Sequence, residues 1–67
     1  MKKLTKKQID LIVRHTPKEL HMQPVNVWTG DTLGTYTPAG ANWSYHAHYI
    51  DYNGMPLLVV SRFGHII

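Results

Sequence analysis

His46-Ala47-His48 is the densest chemical pattern in this 67-residue chain. Alternate residues of a β-strand point to one face, so the two imidazoles stand side by side with Cα atoms about 6–7 Å apart. That spacing suits two ligands of one metal ion, or a base and an electrophile flanking one substrate. A metal site needs a third or fourth ligand. Asp51 falls on the opposite strand face and His65 lies in the C-terminal tail. His46 and His48 are therefore weak metal candidates, and neither a metal nor another cofactor is expected. A ribonuclease built from His46, His48, Tyr45 and Arg62 is chemically conceivable, with histidine as acid and base and a cation on the phosphate. Tyr45 and Arg62 are predicted on the face away from the histidines, which weakens that constellation. The packing alternative is favoured: a half-buried sheet face on which Tyr and His keep their polar tips wet.

The remaining catalytic patterns are absent. Gly30, Gly34, Gly40, Gly54 and Gly64 fall at turns and strand irregularities and form no phosphate loop. Ser44 and Ser61 are strand residues outside any GxSxG. One Glu and three Asp are scattered along the chain, so no carboxylate pair is expected. There is no cysteine, which excludes disulfides and thiolate zinc sites and suits a reducing compartment. His15 sits near a predicted helix C-terminus, where the macrodipole favours it as a cap. His21, beyond the turn, has no evident role.

The charge is unevenly placed. Residues 1–18 hold Lys2, Lys3, Lys6, Lys7, Arg14 and Lys18 against Asp10, a net +5, while the rest of the chain is at −2. Such a cluster could bind phosphate backbones with salt-dependent, sequence-independent affinity. A solvated helix face that keeps a small domain in solution explains it more simply. The seven aromatic residues are Trp28, Tyr36, Trp43, Tyr45, Tyr49, Tyr52 and Phe63. Bases can stack on such rings, but stacking platforms interleave cations with the rings, and here Arg62 alone is on offer. Tyr, Trp and Met are also enriched in protein–protein contacts, the favoured use.

The elements that must position these residues begin with a capping box, Thr5-Lys6-Lys7-Gln8, with Leu4 and Ile9 at the staple positions. Ile9, Ile12 and Val13 form an apolar stripe, and Pro17 ends the helix near His15. Thr16-Pro17-Lys18-Glu19 is a second capping box, predicting a short helical turn through about Met22. After Pro24 the period becomes two. Strands are predicted over 25–29 and 32–37, joined at Gly30-Asp31, and over 43–52 and 55–63, joined at Asn53-Gly54. The last dipeptide readily supplies the two positive φ angles of a type I′ turn. That turn sets Tyr52 opposite Met55, Ile50 opposite Leu57, His48 opposite Val59 and His46 opposite Ser61.

The expected architecture is α+β: an N-terminal helix, plus a short helical turn, packed on a three- to four-stranded antiparallel β-meander, residues 1–67 forming one domain. No signal-peptide apolar run follows Met1-Lys2-Lys3, and the apolar run 55–60 is too short for a bilayer, so a cytoplasmic protein without membrane contact is expected. Both faces of the C-terminal hairpin are substantially apolar, and one helix covers one face. The expected function is non-enzymatic binding of a protein partner, or of a second copy, through an aromatic sheet face or an edge strand. Trp43, His46, His48, Ile50, Tyr52 and Leu57 are the candidate contacts. Nucleic-acid binding by the basic helix is the first alternative, and a His-dependent nuclease or metal-binding protein the second.

Overall fold

The computed structural model describes residues 2–25 and 32–67. Helix α1 spans Lys6–His15 and starts where the capping box requires. The Gln8 N–H donates to Thr5 Oγ1 at 3.2 Å, and the Thr5 N–H donates to Gln8 Oε1 at 2.9 Å. Leu4 packs into the same cluster as Ile9, as a hydrophobic staple should. At the far end Thr16 is extended because Pro17 disfavours α geometry before it. The expected second capping box does not form. The Thr16 hydroxyl turns back and donates to the Ile12 carbonyl at 2.9 Å, and the 3-10 turn Lys18–Leu20 has no side-chain cap. Its Glu19 carboxylate accepts instead from the Tyr52 hydroxyl, tying the turn to the sheet.

Five strands follow one another across a single sheet in the order β1-β2-β3-β4-β5. They are β1 (Lys2–Lys3), β2 (Gly34–Tyr36), β3 (Tyr45–Tyr52), β4 (Met55–Arg62) and β5 (His65–Ile66). β1 runs parallel to β2, and the other pairs are antiparallel. The strand count exceeds the expected three to four because the two-residue strands at either end carry no period long enough to read. The strand expected over 32–37 is trimmed to Gly34–Tyr36, and β3 starts two residues after Trp43. The strand expected over 25–29 and its turn at Gly30-Asp31 lie almost wholly outside the described residues.

The β3–β4 hairpin has the anticipated register, Tyr52↔Met55 through His46↔Ser61. Asn53 and Gly54 take φ values of 53° and 81°, the double left-handed pair of a type I′ turn. A two-residue turn makes Tyr52↔Met55 a hydrogen-bonded pair, so Asp51↔Pro56 is a non-bonded one. Pro56 thus points its missing donor away from β3, where proline is tolerated in a strand.

The pleat then sorts side chains into two layers. Ala47 and Val60 face the helix and close around Ile9, with Leu4, Ile12, Val13, Tyr36, Tyr45, Leu58 and Ile67, all partly buried, packed against them. The opposite face carries His46, His48, Ile50, Tyr52, Leu57, Val59 and Ser61. Its centre is covered too: His48, Val59 and Ser61 are buried. Part of the cover is the chain after the helix. The Met22 N–H donates to the Ile66 carbonyl at 2.6 Å, and the Ile66 N–H donates to the Gln23 carbonyl at 2.9 Å. Leu20, Gln23 and Val25 share a hollow with Ile50, Tyr52 and Ile66. The sequence pattern placed one cover on one face; the structure supplies a second from residues 17–25. Among the described residues no helix is long and apolar enough to cross a membrane.

Gly34 and Ala47 are cross-strand partners. These two small residues make the depression into which Leu4 and Ile9 fit. A Cβ at Gly34 would stand 2.7 Å from Leu4 Cγ, so Gly34→Ala is expected to destabilise the fold by about 1–3 kcal/mol through overpacking. Urea unfolding checks this, with an unchanged midpoint as the contrary result.

Candidate functional site

The two histidines of the densest motif share a face, but they do not share an environment. His48 is 1% exposed, and its Nε2 lies 2.9 Å from Ser61 Oγ. Burial lowers its pKa below the ordinary value, opposed by a backbone hydrogen bond at Tyr49 and reinforced by charge on His46. His46 is half-buried, and its Nδ1 is buried without a partner among the described residues. Among the described residues no group of three or more His, Cys, Asp or Glu could hold a metal ion. The histidine–serine contact has the reach of a base–nucleophile pair. Ser61, however, is as buried as His48, so the hydroxyl serves first to satisfy a buried ring nitrogen.

The six candidate contacts are not gathered into one open patch. Ile50 and Tyr52 sit against the segment containing Leu20, Gln23 and Val25. Leu57 is half-buried on the same face, and His48 is closed off. Trp43 turns elsewhere. It meets Tyr45 edge-on at 4.9 Å between centroids and Phe63 at 6.3 Å. Tyr45 in turn lies parallel to Tyr36 at 6.2 Å. The four rings therefore run as a strip across the N-terminal end of β3, beside the helix.

Arg62 lies within that strip. Its guanidinium carbon stands 4.7 Å from the Trp43 ring and 5.6 Å from the Phe63 ring, within cation–π range of both. Lys6 lines a hollow with Tyr36, Tyr45 and Trp43, and Lys3 lines another beside Tyr36. The sequence reading found no interleaving of cations with rings. Folding supplies it by bringing the helix N-terminus and the end of β4 to the same rings. The other cations of the basic cluster, Lys2, Lys7, Arg14 and Lys18, are exposed; none of them lines a hollow with the four rings among the described residues.

Phe63 is the residue that sequence reasoning missed. It is 72% exposed, and with Gly64 it forms the β4–β5 turn at φ values of 54° and 80°. Phe63-Gly64 thus repeats the conformation of Asn53-Gly54, with a bulky ring where asparagine is preferred. Met22, 76% exposed and also left-handed at φ 66°, lines one hollow with Phe63, Arg62 and Tyr45. The available signal is the dipeptide Phe63-Gly64 directly before His65, and the last four residues carry no strand-length pattern to make it a turn. Comparison with known proteins finds no matching family, no matching curated protein and no matching solved structure.

The depressed pKa of His48 gives a pH dependence of stability. Above the ordinary imidazole value of 6.5 both states are neutral and the ring contributes no pH dependence. As pH falls through that value toward the lowered folded-state pKa, the unfolded chain takes the proton first and stability is lost. The drop in thermal midpoint between about pH 7.5 and about pH 5.5 should shrink in His48→Gln, which removes the titration and retains a polar partner for Ser61. An identical drop in both proteins would contradict a buried neutral ring.

Proposed function

We propose that this chain is a non-enzymatic binding protein that engages a macromolecular partner through the strip Tyr36, Tyr45, Trp43, Arg62 and Phe63. The contact thereby moves from the histidine-bearing face to the helix side and end of the sheet, keeping Trp43 from the expected set. The observation that carries the reading is the conformation of Phe63. A non-glycine residue in the left-handed region is disfavoured by about 1–2 kcal/mol, less for asparagine. The chain uses asparagine for the same turn ten residues earlier, at φ 53° against 54°. Phe63 recovers little of its cost by burial. Strain kept at an exposed aromatic side chain is a mark of a contact site. A hydrolase using His46 and His48 draws less support, because His48 and Ser61 are shut in together.

Two results are expected. Phe63→Asn should raise stability by about 0.5–1.5 kcal/mol, since it relieves the left-handed strain. The test of the contact itself replaces Phe63 by a photoreactive phenylalanine analogue in cells expressing the chain. Irradiation should yield a discrete adduct, whereas the same analogue at Met55, 68% exposed on the other hairpin, should not. No adduct at 63, or the same products from both positions, would refute the assignment of this surface.

A further inference from the structure

We infer that the occupant of the aromatic strip is a single strand of nucleic acid, a deduction that rests on the strip being the contact surface. A polymer with flat rings and one negative charge per unit needs alternating stacking surfaces and cations, in a geometry that leaves the rings reachable. The four rings of the strip lie 6.2, 4.9 and 6.3 Å from one another in succession, Tyr36 to Tyr45 to Trp43 to Phe63. Cations stand beside both ends. The Arg62 guanidinium carbon stands within cation–π range of Trp43 and Phe63, and Lys6 lines the hollow of Tyr36, Tyr45 and Trp43.

Charge complementarity decides between occupants. Among the described residues lining the hollows along this strip, Asp10 is the one acidic side chain, while Lys3, Lys6 and Arg62 are the cations. The chain's other described acidic side chains, Glu19 and Asp51, line a hollow with Ile50 and Tyr52, apart from the four rings. A protein partner of ordinary mixed charge would leave this concentration of positive charge unmatched. A duplex hides its base faces and could use the cations only. A single strand uses both rings and cations, and Phe63 at the tip is 72% exposed.

The test measures anisotropy of labelled single-stranded oligonucleotides of about twelve nucleotides, RNA and DNA in separate arms, against a duplex of the same sequence. Three cation–phosphate contacts give a log–log salt slope of about −2 on single strands, hence roughly 16-fold weaker binding at about 200 mM than at about 50 mM salt. Lys6→Glu, Arg62→Gln and Phe63→Asn should each weaken binding several-fold. Lys18→Glu, an equal change of charge away from the strip, should stay within about twofold of the parent. A glutamate in the first helical turn favours the helix, and asparagine favours the turn, so two of these losses could not come from unfolding.

Binding that ignores salt, equal binding to the duplex, or a Lys18→Glu loss equal to that of Arg62→Gln would overturn the inference. So would failure of every oligonucleotide to bind. In that event the adduct formed at position 63 separates the two claims. A protease-sensitive, nuclease-resistant adduct keeps the contact surface and makes the occupant a protein. Absence of any adduct removes both. A clear difference between the RNA and DNA arms identifies which strand the surface takes.

Discussion

The left-handed pair Asn53-Gly54 decides which way every side chain of the long hairpin points. With a two-residue loop, Tyr52 must face Met55, and the pleat carries that choice six further pairs along the strands. A slip of one residue would send Ala47 and Val60 outward and bring His46 and His48 under the helix. The helix could not accept that exchange. Ile9, Ile12 and Val13 present an apolar stripe with no hydrogen-bonding group for two imidazoles. Turn chemistry and helix patterning therefore specify the same register from opposite ends of the chain, and their agreement is what makes so short a sequence specific.

Size imposes the second constraint. A domain of this length buries only about 60% of the surface its unfolded chain would expose, so each face of the sheet needs cover from close by. The helix lies over the small residues Gly34 and Ala47, which let Leu4 and Ile9 approach the backbone. The chain beyond Pro17 then crosses to the other side, pairs with β5 through Met22 and Gln23, and reaches the Gly64 carbonyl of the preceding turn through the Val25 N–H. Ser61 completes that second layer by meeting His48, the one buried imidazole whose ring would otherwise face Val59 and its apolar neighbours with an unmet nitrogen. The buried Ser61 hydroxyl and His48 Nε2 are thus matched to each other, whereas His46 Nδ1, on the same face, is buried without a partner among the described residues.

Much of this was legible in the residues. The capping box, the stripe and the proline stop locate α1, and the Asn-Gly turn gives the hairpin and its pairing. The rest depended on contacts between distant segments. Lys2–Lys3 becomes a strand only because the Leu4 N–H donates to the Thr35 carbonyl at 2.7 Å and draws the terminus alongside β2. The second capping box was locally plausible, but the Thr16 hydroxyl found a nearer acceptor at Ile12 and Glu19 found Tyr52, a residue 33 positions away. The candidate contacts suffered from the same blindness. Period two assigned His46, His48, Ile50, Tyr52 and Leu57 correctly to one face, yet nothing local said that residues 17–25 would lie across it. Arg62 looked like a solitary cation because Lys6 is 56 positions away in sequence, although both stand beside Trp43.

The Asn53-Gly54 and Phe63-Gly64 turns constitute an internal comparison that bears on the proposed strip. Both are two-residue connections, and both hold the same pair of left-handed angles. At the first, Asn-Gly serves the fold alone. Were the second selected for the fold alone, the same dipeptide would serve it with less strain; were Phe63 selected for packing, its ring would be buried. Neither account fits an exposed ring at a disfavoured φ. A tight hairpin also holds its tip residue far more firmly than a longer loop would, so the partner we propose for Phe63 would not have to order it first. Arg62 adds a contact there, with its guanidinium carbon 4.7 Å from the Trp43 ring and 5.6 Å from the Phe63 ring. On the proposed reading, the left-handed conformation of Phe63 is strain held where a rigid contact would have value, and Met22, exposed and left-handed beside the same hollow, shares it.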